Sequence, residues 1–141
     1  MSHWMLFLHI VGALAMGFYF LLPFLVSRAG KMSGAAQAGY AAVLRSANRI
    51  AQFVLLFEFL TGGYLVSKYS YSPLWLILVL VFVVALGAVT GILGVRLKKL
   101  GEAAEANGTV TPHQSSSLAL SWISAVFLLV IVYLMNNIGA I

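Results

Sequence analysis

The sequence predicts an all-α integral membrane protein, a bundle of four transmembrane helices, and three observations carry that expectation. Four apolar runs each reach the roughly 17–25 residues a helix needs to cross a bilayer. Of the 141 residues, 62% are hydrophobic and only 8% charged, against about 25% charged in soluble domains, and the mean hydropathy is +1.04. The basic residues collect in alternate connections between the runs, as membrane topology demands. Little mass is left outside the bilayer, so the chain reads as a single transmembrane domain over residues 1–141.

The first helix is expected over about residues 4–27. From Trp4 to Val26 it holds no formal charge, and such a stretch rises roughly 34 Å as a helix, enough to span. It lacks a basic leader and exceeds the ~7–15 apolar residues of a signal-peptide core. Pro23 lies in its last turns as a candidate kink, which membrane helices tolerate. The connection from Ala29 to Ala47 has basic residues at its flanks, and its Gly, Ala and Ser content suggests partial helix at the interface with Tyr40 as an anchor.

The second helix is expected at about 48–66, with Glu58 near its middle. A short turn from Ser67 to Ser72 contains Lys68, Tyr69 and Tyr71, and Pro73 opens the third helix at a position where its missing N–H is harmless. That helix, about 74–95, is almost purely aliphatic and ends with Gly87, Gly91 and Gly94. Gly87 and Gly91 form a Gly-x-x-x-Gly pair, a sign of close helix approach. A polar segment with Asn107-Gly108 as its turn leads to the fourth helix, about 118–136.

Charge sets the expected orientation. Seven of the eight basic residues, Arg28, Lys31, Arg45, Arg49, Arg96, Lys98 and Lys99, fall in the first and third connections, and only Lys68 falls in the second. The positive-inside rule then puts those two connections in the cytoplasm and both termini outside, in the inner membrane of a prokaryote. The net charge of +5 is thereby explained without nucleic acid. Trp4, Tyr64, Trp75 and Tyr133 fit an outer aromatic belt. With no cysteine and no aspartate, disulfides, thiolate metal sites and carboxylate-rich di-iron centres are excluded.

Two ionisable side chains remain inside the apolar runs, and such groups suggest function. His9 lies about 9 Å below the outer end of the first helix and Glu58 about 13 Å below that of the second, at 1.5 Å per residue, so both occupy the outer half at similar depth. At helical spacing His9 shares its face with Gly12, Ala13, Met16 and Gly17. This groove of small residues suits a flat ring or, equally, a close second helix. For Glu58 three roles compete: a protonated, hydrogen-bonded carboxyl, a partner orienting His9, or a proton relay. Gln52, Thr61, Thr90, Ser121 and Ser124 need only hydrogen bonds to the backbone or between helices.

An imidazole in a membrane bundle without thiols fits an axial ligand of haem b. Cofactor contacts are expected from His9, Gly12, Ala13, Met16, Gly17 and Glu58, and metal ligation from His9. The second ligand is left open among Met135, His3, an open site or His9 of a symmetry mate. His113 falls on the wrong side to meet His9.

Leu8-His9-Ile10, the small residues after it and Leu22-Pro23 resemble the opening of the bacterial membrane protoporphyrinogen IX oxidases. Related small four-helix proteins, including copper-resistance D-like proteins, share the pattern. Leu44-Arg45, Asn48-Arg49 and Leu60-Thr61-Gly62-Gly63-Tyr64-Leu65 extend the likeness over the first half of the chain. The resemblance implies that His9 is a haem ligand. It does not imply porphyrinogen oxidation: Phe24 stands where the family has arginine, the third helix has no histidine, and Leu120-Ser121-Trp122 replaces an asparagine–glutamate pair. The function expected is haem binding for electron transfer or haem handling. The alternatives are a non-catalytic accessory subunit of a larger membrane complex and a small proton or metal transporter. Expected partners are the lipid bilayer, a second copy through small-residue helix faces, and a quinone or respiratory protein.

Overall fold

A computed structural model describes residues 2–68 and 71–137; Tyr69, expected in the second turn, lies outside them. The helices are α1 (Ser2–Met16), α2 (Phe18–Ala29), α3 (Gly34–Lys68), α4 (Pro73–Glu105) and α5 (Thr111–Asn136). Together α1 and α2 make one span, and α3, α4 and α5 make three more, all long and apolar enough to cross a membrane. The protein is an all-α, four-span bundle of the multi-pass membrane type.

The first span is interrupted at Gly17 and not at Pro23, which stays inside α2. Gly17 N–H donates to Leu14 O at 3.1 Å, a tight i→i−3 turn, and a Cβ there would come within 3.0 Å of the same carbonyl. Glycine therefore suits this turn. The interruption lets one span serve two neighbours: α1 packs on α3, whereas α2 packs mainly on α5. The half that carries His9 makes the larger contact with α3.

Two helices run well past the lengths expected. With 35 residues in α3 and 33 in α4, they measure about 50 Å, against a hydrocarbon core of about 30 Å. Residues 34–47, expected as partial helix, are helical throughout and continuous with the span, because alanine is the best helix former and the segment finds packing partners. Ala41 and Leu100 are fully buried with Ala29 in a small second core, and Gly101 allows the close approach, its Cβ position lying 3.6 Å from Ala41 Cβ. Carbonyls near the end of α2 also accept from side chains of other helices. Tyr40 OH donates to Leu25 O at 2.9 Å, Gln114 Nε2 to Val26 O at 2.7 Å and Gln37 Nε2 to Ala29 O at 2.9 Å. Tyr40 thus ties α3 to α2.

The glycines of α4 line its seam with α3. Cβ positions at Gly87, Gly91 and Gly94 meet Leu55, Gln52 and Asn48 in turn, so the close approach expected of this small-residue face is made within the chain. Asn48, 1% exposed, joins three helices: its Oδ1 accepts from Tyr19 OH at 2.8 Å and its Nδ2 donates to Thr90 O at 3.0 Å. Thr90, Ser121 and Ser124 donate to carbonyls one turn back in their own helices. Asn48→Leu is expected to lower stability by about 1–2 kcal/mol, the upper range for polar contacts between membrane helices, measured by reversible unfolding in detergent. At the opposite end Trp75 Nε1–H donates to Leu134 O at 2.7 Å, fastening the start of α4 to the end of α5.

Candidate ligand site at His9

The site is built by two facing helices that each offer a glycine to the other's polar side chain. On α1, Gly12 is buried, and a Cβ there would collide with the Glu58 carboxyl. On α3, a Cβ at Gly62 would lie 3.3 Å from His9 Cε1. Glu58 therefore fills the step at Gly12, and the His9 ring lies across Gly62. The small residue next to His9 admits a carboxylate-bearing helix, so the groove is not left open at that point.

His9 Nδ1 lies 2.8 Å from Thr61 Oγ1 and 3.5 Å from Glu58 Oε2. The Thr61 hydroxyl also reaches Phe57 O at 3.1 Å and Glu58 O at 3.2 Å. A hydroxyl has one proton, and carbonyls only accept. In the tautomer that carries the proton on Nδ1, the ring donates to Thr61 Oγ1 while the hydroxyl donates to its own helix. In the neutral imidazole the lone pair then sits on Nε2, which has no hydrogen bond among the described residues. The His9 side chain is 16% exposed and that of Glu58 13%, so the ring keeps an accessible edge. Glu58 Oε1 is buried without a hydrogen-bond partner among the described residues.

Glu58 and Gly12 join His9 here, and the other expected contacts lie elsewhere. Ala13 is exposed, Met16 is buried in the apolar core and Gly17 makes the turn between α1 and α2. Met135 packs against the core from α5, whose principal partners are α2 and α4. His3 is exposed beside Trp4. His113 stands at the start of α5, at the end of the bundle away from His9.

Thr61 is the closest partner of His9, yet its sequence signal is faint, since a threonine in an apolar helix usually bonds its own backbone. Its place one turn after Glu58 and beside Gly62 is the trace it leaves. Among the described residues no group of three or more histidine, aspartate or glutamate side chains comes together to hold a metal ion. What the described residues supply at this point is a single imidazole, with Nδ1 engaged by Thr61. No family model, curated protein or solved structure matches the chain.

Proposed function

We infer that this chain is a membrane-embedded b-type haem protein, serving electron transfer or haem handling, in which His9 Nε2 would hold the haem iron. The observation that carries the proposal is the pairing of His9 Nδ1 with Thr61 at 2.8 Å, which leaves Nε2 as the ring nitrogen without a hydrogen bond among the described residues. Ligating histidines are commonly oriented by a hydrogen bond on the other ring nitrogen. A bound haem would supply a one-electron iron couple. With the proton on Nδ1, Thr61 Oγ1 accepts its hydrogen bond, Glu58 stands as a second acceptor 3.5 Å from Nδ1, and Gly12 and Gly62 let the helices approach closely enough for both. The same proposal places both termini outside a prokaryotic inner membrane and the chain among the small four-helix haem proteins it resembles. A quinone or respiratory protein would exchange the electron.

The test is an oxidised and a dithionite-reduced absorption spectrum of protein purified in mild detergent after haem supplementation. A Soret band with a reduced b-type band is expected. A flat visible spectrum would overturn the proposal.

A second reading has its own observation. The reciprocal fit of Glu58 to Gly12 and His9 to Gly62 also describes a lock between two helices, as in a non-catalytic accessory subunit. It requires a flat spectrum and recovery of the chain with a larger membrane complex.

A further inference from the structure

We propose that the basic end of α2 binds an anionic phospholipid, with Arg28 and Lys31 on its phosphate and Phe24 and Met32 along its acyl chain. A cavity of about 600 Å3 opens there, lined by Phe24, Ser27, Arg28, Lys31 and Met32. Local backbone geometry explains how these residues meet. Beyond the regular turns of α2 the chain continues in three successive i→i−3 turns: Gly30 N–H to Ser27 O at 3.2 Å, Lys31 N–H to Arg28 O at 3.0 Å and Met32 N–H to Ala29 O at 3.1 Å. At three residues per turn, side chains three apart eclipse, which keeps Lys31 in line with Arg28.

The chemistry of the lining is that of a lipid headgroup region. Arg28 and Lys31 are exposed and have no carboxylate partner: among the described residues the one base–carboxylate contact is His9 with Glu58. Arginine matches a phosphate with two parallel N–H donors, lysine adds a point charge, and the Ser27 hydroxyl supplies a neutral donor. The apolar wall continues past the cavity, because Phe24 packs edge-on against Trp122 of α5, ring centroids 5.6 Å apart. Two unpaired cations beside an apolar wall at the end of a spanning helix match the basic headgroup pockets of membrane proteins. The positive-inside bias accounts for the cations' location, but not for the cavity that collects them with Phe24 and Met32.

The experiment compares lipid retention by native mass spectrometry, and lipid-dependent thermal protection, for phosphatidylglycerol and phosphatidylcholine in detergent. The wild type is expected to retain phosphatidylglycerol selectively. Arg28→Gln/Lys31→Gln is expected to bind it about 30-fold more weakly, from the contribution of each surface cation, with an unchanged lipid-free melting temperature. Lys98→Gln/Lys99→Gln removes equal charge from the same end of the bundle and is expected to retain the lipid. Equal losses in the two double variants would show diffuse attraction and overturn the proposal. Undiminished retention in Arg28→Gln/Lys31→Gln would overturn it too, as would equal protection by inorganic phosphate, which would mark a site for the free anion.

Discussion

Gly12→Ala is expected to loosen the α1–α3 contact by about 1–3 kcal/mol, the usual range for overpacking a filled interior. The added methyl would occupy the place of the Glu58 carboxyl, lying 2.8 Å from its Cδ and 3.2 Å from its Cγ. Because Cγ is crowded as well, rotating the terminal carboxyl does not relieve the contact. Either the helices separate or Glu58 turns about its side-chain torsions and leaves Nδ1 of His9. Adding Glu58→Ala removes the obstacle, so Gly12→Ala/Glu58→Ala should recover most of the stability lost by Gly12→Ala. Unfolding of the two single variants and the double variant in detergent checks the coupling. Strict additivity would mean that the two residues do not oppose each other across the seam.

His9→Ala is expected to abolish the b-type band while leaving the bundle folded. The ring makes one short hydrogen bond, to Thr61, and polar contacts between membrane helices contribute about 0.6–2 kcal/mol. All four spans are joined by contacts that exclude α1, namely α3 on α4, α4 on α5 and α2 on α5. Circular dichroism and gel filtration should therefore match the wild type, separating loss of a ligand from loss of the fold. Thr61→Val keeps the ring but removes its acceptor. Haem affinity should fall by about 10–100-fold, the range for residues that orient a metal ligand, and a haem titration measures it.

The spans were legible because about 20 consecutive apolar residues have few other physical explanations. The relative depth of His9 and Glu58 was legible for a similar reason: helical rise per residue is fixed, so charge-derived topology places both in the same half of the bundle, where they face each other. Less legible were the ends of α3 and α4. Residues 34–47 were legible only as partial helix, and their packing on α2 and on the end of α4 shows why the helix is continuous. The interruption at Gly17 was hidden by Pro23, the stronger helix breaker in isolation. Thr61 was hidden because the acceptor role of a threonine depends on which helix faces it. Gly12 was visible as a small residue, but the sequence did not distinguish a flat ring from a facing helix as its occupant.

The most direct measurement is the oxidised and dithionite-reduced spectrum of His9→Gly, recorded without and with free imidazole beside the wild type. If His9 Nε2 is the axial ligand, His9→Gly has no b-type band and imidazole restores it, because the added ring takes the vacated place beside Thr61. A wild-type band that survives His9→Gly unchanged would place the ligand elsewhere and contradict the assignment.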